Sequence, residues 1–320
     1  MRKQMLLGTD LNLSNICYGT GNFGTRLTRE EGFAVLDAYA DVGGNFIDTA
    51  NVYCKWVEGL GNSSEQYIGA WLKARNAYNK MVIATKGGHY SFDQPQIPRI
   101  NKAELQKDLE ESLRTLGLDH IDFYWLHRDD ERQEIGAIME IMEGFVKEGK
   151  IRYYGASNYT RERMEAARIY ADKTGINGFT AVSNQWSMAE VNPGCNINSD
   201  PSLVMMDKAY YQWHEQHQVP IIPFSASAYG IFQKRLLGQQ LSAEMKKAYT
   251  NHKNDVIYQG LCLMSEETGL SVYALSVAWL LNQPFQVFPV ASVSKVSQLK
   301  DFFEASEVVL DREFVERYIP

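Results

Sequence analysis

The sequence predicts an α/β fold, a (β/α)8 TIM barrel in one domain over residues 1–320, and three observations carry that expectation. Short β-rich runs alternate with amphipathic segments along the whole chain. Eight such runs can be counted, and helix-start signals lie between them. No linker, low-complexity tract or shift in composition divides the 320 residues. An open doubly wound sheet is the rival arrangement. It usually has fewer strands and a G-x-G-x-x-G turn opening directly into a helix, whereas "GTGNFG" (19–24) is spaced differently.

The elements follow in order. "KQMLLGTDLNLS" has a Gly-Thr-Asp centre between apolar residues and predicts an N-terminal β-hairpin. The eight barrel strands are then predicted at 15–19, 45–48, 81–86, 121–127, 151–157, 179–185, 219–225 and 286–292. Thr28 with Glu31, Ser63 with Gln66, and Asn101 with Glu104 read as capping boxes, and Asp200-Pro201 as an N-cap with proline at the first helical position. Leu105, Leu109, Leu113 and Leu116 share one helix face that stops at Gly117. "SVYALSVAWLL" is apolar almost all round and predicts a deeply packed helix. The stretches 87–100 and 226–254 predict long loops over the C-terminal face, where barrels do their chemistry.

Composition narrows the function classes. Apolar residues make up 45% and charged residues 22%, with a net charge of −7 and no Lys/Arg-rich run. This argues against nucleic acid as a partner. No run approaches a membrane span, and Gly8 and Asp10 interrupt any leader-like N-terminus. Four scattered cysteines without a C-x-x-C pair suit reduced thiols in a cytoplasmic setting. The oligomeric state is not legible.

One stretch poses a chemical question. "NFIDTANVYC" (45–54) takes a buried-looking strand straight into Asp48 and sets Tyr53 five positions later. The next two strands end in Lys86 ("ATKGG") and His127 ("WLHRDD"), so three consecutive strand ends bring ionisable groups to one rim. An ammonium stabilises a phenolate and so lowers a tyrosine's pKa from about 10, and an aspartate beside it keeps the lysine charged. A histidine can orient a carbonyl oxygen. Together they make a general acid for a carbonyl being reduced, with the hydride supplied by a cofactor.

Each group alone has a blander reading: Asp48–Lys86 as a structural ion pair, His127 as a core histidine, Tyr53 as a loop aromatic. His120 with Asp122 belongs to a strand entry on the far side, and His214 with His217 predicts surface residues, so no metal site is expected. Cys54 predicts a packed thiol, the methionines of "ERQEIGAIMEIMEGF" a core stripe, and Asp129 with Asp130 a solvated loop or helix entry.

At this point the sequence resembles the aldo-keto reductase family over nearly its whole length. "FIDTANVY" is similar to its F-x-D-T-A-x-x-Y, "GNSSEQYIG" to its G-x-S-E-x-x-x-G, "ATK" to its strand-three lysine, "LHRDD" to its L-H-R-x-D, and "FVKEGKIRYYGASN" to its corresponding segment. The resemblance implies Tyr53 as proton donor, tuned by Lys86 and Asp48, with His127 orienting the substrate. It also implies NADP(H), with NAD(H) as the alternative, across the C-terminal mouth. Ser157, Asn158 and Gln185 match residues that bind the nicotinamide carboxamide, with Thr20 and Asp48 nearby, and Phe224 takes the place of a stacking aromatic. Ser225 and Ser227 match the pyrophosphate loop, and Ser292, Ser294, Lys295 and Gln298 the adenosine 2′-phosphate segment. Three departures bear on the choice of nucleotide. "FSASAYG" lacks the loop proline, Ser292 replaces a glycine, and Phe302 stands where an asparagine commonly faces adenine. Phe23, Trp56, Tyr90, His127 and Arg128 are the expected substrate walls, suited to an aldehyde, ketone or sugar-like carbonyl. The competing functions are a non-enzymatic nicotinamide-nucleotide sensor or regulatory subunit of the same fold, and a barrel isomerase or hydrolase.

Overall fold

The computed structural model describes residues 1–195 and 200–320. The hairpin is present: β1 (Lys3–Met5) and β2 (Asn12–Ser14) pair antiparallel. Seven parallel strands follow: β3 (Cys17–Gly19), β4 (Phe46–Asp48), β5 (Val82–Gly87), β6 (Ile121–Leu126), β7 (Ile151–Ser157), β8 (Val182–Ser183) and β9 (Val290–Ala291), in the order β8-β7-β6-β5-β4-β3-β9. The predicted run at 219–225 completes a (β/α)8 barrel through single parallel bridges, Val182 with Ile221 and Ile221 with Val287. Its ladder is broken for a chemical reason. Pro220 and Pro223 have no N–H to donate, so they only accept, from Val182 N–H at 3.0 Å and Val290 N–H at 2.9 Å.

Period-two alternation sorts the strand residues. Cys17, Phe46, Ala84, Phe123, Trp125, Ala181, Ile222 and Phe288 fill the barrel interior, and Leu6, Leu11 and Leu13 join them from the hairpin. The hairpin therefore plugs the end where strands begin, and Asn45, just before β4, pins it by donating to Asn12 O at 2.9 Å. Burying each such Leu or Phe stabilises the fold by about 1.5–3 kcal/mol. Gly155 makes room for this packing: a Cβ there would sit 2.5 Å from the Trp125 ring and 2.6 Å from Ala181 O. The other parity, including Tyr18, Ile47, Ile83 and Tyr124, packs outward against the helices.

Those helices are α1 (Arg29–Asp41), α2 (Ser63–Arg75), α3 (Lys102–Leu116), α4 (Ile135–Lys147), α5 (Arg161–Thr174), α6 (Lys208–His217), α7 (Ile231–Leu236), α8 (Ala243–Tyr249), α9 (His252–Thr268), α10 (Val272–Leu281), α11 (Leu299–Glu307) and α12 (Arg312–Arg317). Thr28–Glu31 forms the expected capping box, Met139 and Met142 of α4 are core, and α10 is deeply buried. Asn101 caps α3 by accepting from Glu104 N–H at 3.1 Å, but the box is not completed, because the Glu104 carboxylate is taken by Arg99 at 2.7 Å.

Four further expectations are corrected. Asn62, not Ser63, precedes α2, because the Ser63 hydroxyl is spent on Phe23 O at 3.0 Å. Asp200 starts no helix; α6 begins at Lys208 with Asp207 as its cap. The stretch 226–254 is not all loop, since it holds α7 and α8. His214 is fully buried, not on the surface, and its Nδ1 lies 2.7 Å from Val219 O, where it ties the end of α6 to the following strand. No helix among the described residues is long and apolar enough to cross a membrane.

Candidate active site

The interior parity that sets Phe46, Ala84 and Trp125 inside the barrel continues, two residues on, to Asp48, Lys86 and His127 at the strand ends. Lys86 Nζ donates to the Asp48 carboxylate, to Thr49 O at 2.7 Å and to the Tyr53 hydroxyl at 3.4 Å. Tyr53 reaches the group from the turn after β4. That turn is held by Asn51 N–H to Lys86 O at 3.0 Å and by Cys54, whose left-handed backbone (φ 75°) lets its buried thiol donate to Phe23 O at 2.9 Å. The His127 ring stands edge-on to Tyr53 with centroids 5.9 Å apart. The four residues thus meet in one place, as the sequence led us to expect.

The electrostatics refine that expectation. Burial raises the Tyr53 phenol above its usual value, although the Lys86 ammonium pulls it down. The lysine therefore does not make the resting tyrosine acidic; it stands ready to stabilise the phenolate that remains after a proton leaves. Burial alone would lower Lys86, but Asp48 and Tyr53 outweigh it and hold the ammonium above its ordinary range. Burial lifts Asp48 against the pull of Lys86. His127 is pushed well below its ordinary value by burial, then by the charge of Arg128, so it is neutral. Its Nδ1 is buried without a partner. An orphaned buried acceptor costs less than an orphaned N–H, so the proton sits on Nε2, the nitrogen left for a ligand.

Several residues that the sequence reading did not single out, Ser64, Thr49, Glu65, His89 and Phe92, support or line this centre. Thr20, Ser64 and Thr49 form a buried hydroxyl chain, with Thr20 and Thr49 each 2.8 Å from Ser64. Glu65 accepts from Thr85, the neighbour of Lys86, at 2.6 Å. His89, with a pKa lowered to about 4 chiefly by burial, packs edge-on to His127 at 4.8 Å. Phe92 is 47% exposed and Trp56 49%, and their rings meet edge-to-face at 6.4 Å. A histidine and an aromatic soon after a barrel strand end were the available signal, in "KGGHYSF".

Other expected contacts sort differently. Phe23 is 1% exposed, packed on Tyr18 and Tyr67, so it is core and not a substrate wall. Thr20 is fully buried, and its hydroxyl donates to Asp48 O at 2.9 Å, so it braces a strand end. Phe302 is fully buried against Tyr18 and Tyr273, which explains why it cannot stand in for a residue facing adenine. Asp129 and Asp130 are not solvated; they diverge to Arg163 and Arg132. Trp56, Tyr90 and Arg128 do lie by the centre, with Tyr53 and Trp56 rings 6.2 Å apart.

The residues around the mouth suit a nicotinamide nucleotide. Asn158, left-handed at φ 62°, follows β7 and donates to His127 O at 3.3 Å, which ties a carboxamide-bearing side chain to the end of β6. Ser157 beside it donates to Ser183 O at 2.8 Å, and Gln185 is bridged to Phe224, whose ring is half-buried. Ser225, Ala228 and Tyr229 all have positive φ, a backbone that can turn N–H groups towards an anion. Ser292, Ser294, Lys295 and Gln298 are exposed, with Gln298 Oε1 accepting from the Ser294 and Lys295 N–H groups at 3.1 Å.

Comparison with known proteins decides the family: the Aldo/keto reductase family model matches residues 15–318. The chain is an aldo/keto reductase. Its relatives include an uncharacterized oxidoreductase, YrpG, of Bacillus subtilis, 27% identical over 96% of this chain and 91% of that protein. A probable aryl-alcohol dehydrogenase, AAD4, of Saccharomyces cerevisiae is 27% identical over 91% and 87%. An aryl-alcohol dehydrogenase [NADP(+)] of Phanerodontia chrysosporium is 26% identical over 97% and 83%. This aldo/keto reductase is accordingly an NAD(P)H-dependent oxidoreductase. A separate cleft of about 520 Å³, lined by Trp186, Met188, Met206, Lys253 and Trp279, shares only Gln185 with the mouth.

Proposed function

We propose that the protein reduces the carbonyl of an aldehyde or ketone with NADP(H), using Tyr53 as the proton donor. The observation that carries this reading is the Asp48–Lys86–Tyr53 chain ending beside a neutral His127. When bound, NADPH would supply the hydride that the carbonyl carbon takes up. His127 donates from Nε2 to the carbonyl oxygen and fixes it near the Tyr53 hydroxyl. Tyr53 gives its proton to that oxygen as negative charge develops there, and Lys86 stabilises the phenolate. Asp48 keeps Lys86 charged. Ser157, Asn158 and Gln185 would hold the carboxamide, Phe224 would offer its ring to the nicotinamide, and Ser225 and Ser227 would hold the pyrophosphate. Trp56, Tyr90, Phe92 and Arg128 bound the substrate. The same groups run the reverse oxidation of an alcohol.

The choice of NADP(H) is supported by Lys295, exposed in the segment that resembles a 2′-phosphate site, and by the relative whose name carries NADP(+). The test pairs turnover with binding. Purified protein should consume NADPH in the presence of 4-nitrobenzaldehyde. Tyr53→Phe should lower that rate by about 10² to 10⁴-fold while cofactor affinity, read by fluorescence, stays within about twofold. Cofactor binding without turnover by the unaltered protein would favour a nucleotide sensor.

A further inference from the structure

The proposed chemistry gives no role to the charge of Arg128, although that charge sits against the acid–base groups. Arg128 follows His127 directly, donates to His127 O at 2.7 Å, and is 8% exposed. A guanidinium beside a carbonyl-binding mouth would normally select carboxylate-bearing substrates, which it pairs with in a fork. Here a carboxylate of the chain is already on it. Arg128 Nη2 donates to Asp200 Oδ2 at 2.7 Å, both side chains being 10% exposed. The Tyr90 hydroxyl donates to the same oxygen at 2.8 Å, and the Ser202 N–H and hydroxyl donate to Oδ1 at 2.9 and 2.6 Å. Three loops thus converge on one ion pair: Tyr90 comes after β5, Arg128 after β6 and Asp200 well after β8.

Such a pair is an expensive way to staple loops, because both charges lose most of their hydration. Its distinctive effect is on the field at the mouth. We propose that Asp200 is a specificity residue that masks Arg128, so that the site takes uncharged carbonyl substrates and turns away carboxylate-bearing ones. The inference rests on the carbonyl-reductase reading and adds the charge class of the substrate. Asp200 acts through Arg128 and touches no reacting atom, so it is a positioning residue. The exposed Trp56–Phe92 pair beside the site offers an apolar platform, which makes aryl aldehydes suitable probes.

The experiment uses two aldehydes of matched shape with NADPH: methyl 4-formylbenzoate, which is neutral, and 4-carboxybenzaldehyde, which is anionic. The readout is the ratio of their kcat/KM values. The unaltered protein should favour the ester. Asp200→Asn should raise the relative kcat/KM for the acid by about tenfold, mainly through KM, because the unmasked guanidinium now attracts a carboxylate. Arg128→Gln does the converse. It leaves the Asp200 carboxylate uncompensated and should lower the relative value for the acid by about tenfold; it decides the matter alone if Asp200→Asn does not fold. Tyr90→Phe loosens the same carboxylate without changing charge and should move the ratio by less than about twofold. A purely structural staple would slow both aldehydes together and leave the ratio flat in Asp200→Asn and Arg128→Gln; that result overturns the proposal. If the unaltered protein turns over neither aldehyde, it is the reductase reading that fails.

Discussion

β5, β6 and β7 run for six, six and seven residues, whereas β8 and β9 run for two each and the strand between them survives only as bridges at Ile221 and Phe224. The two sides of the barrel present different kinds of groups, and the proposed function gives them different parts of the chemistry. The continuously laddered side presents Lys86 and His127, and β4 beside it presents Asp48, all three nearly buried and rigidly registered. The interrupted side presents Phe224, the positive-φ residues Ser225, Ala228 and Tyr229, and the exposed segment from Ser292 to Gln298. Proton transfer demands atoms fixed to a fraction of an ångström, which long ladders and a packed interior provide. Cradling a long, charged nucleotide demands backbone donors and room, which prolines and irregular backbone leave open. On this comparison, changes on the first side should damage turnover and stability together, and changes on the second should act on nucleotide affinity.

The largest effect should come from Lys86. Replacing it with methionine removes the cation that sustains the Tyr53 phenolate and leaves Asp48 buried without its partner. We expect turnover to fall by about 10² to 10⁴-fold and stability to fall by about 3–5 kcal/mol, read by urea denaturation. The double variant Lys86→Met with Asp48→Asn should recover most of the stability and none of the turnover. Recovery of both would mean that the ion pair is only a structural element of the barrel.

The same comparison explains what could be read in advance. Asp48, Lys86 and His127 were legible because strand-end position and period-two parity are local properties, and Tyr53 because its distance from Asp48 is fixed by a short turn. The closing strand at 219–225 was legible as an apolar run, but Pro220 and Pro223 limit it to bridges, a cost visible only once its neighbours are known. Ser63 and Asp200 were misread as helix caps for a common reason. Each is a small polar residue able to serve either as a local cap or as a long-range tie, and tertiary contacts chose the tie. Phe23 and His214 went wrong because hydropathy does not say which face of a loop or helix a lone ring will bury. His89 and Phe92 gain significance only from rings brought in by other strands.

On the interrupted side, Lys295 gives a smaller and more selective prediction. It is exposed in the segment that the proposed function gives to the 2′-phosphate, where its ammonium would act as a point charge on that group alone. Lys295→Ala should weaken NADPH by about tenfold, or ~1.4 kcal/mol, leave NADH within about twofold, and leave the stability curve unchanged. Parallel fluorescence titrations with the two nucleotides check this. Equal losses for both would move the 2′-phosphate contact away from Lys295 and remove the main support for NADP(H).

The smallest effect concerns Glu65, which is fully buried on the laddered side and bonded to Thr85 and Asn62. Burial raises its pKa above the ordinary 4.5, against the pull of its hydrogen bonds and of Lys55. A raised carboxyl keeps its proton in the fold while the unfolded chain has already lost it. Its contribution to stability is therefore full below about 4.5 and is lost as the pH rises through the raised value. Glutamine stays neutral throughout. Glu65→Gln should therefore gain on the unaltered protein across that window and run parallel to it at higher pH. Asp48 is unchanged in both proteins, so its own titration cancels in the difference. Urea midpoints measured at a series of pH values read the effect directly, and a difference that stays flat from acid to neutral pH would show that Glu65 titrates in the fold as it does in the unfolded chain.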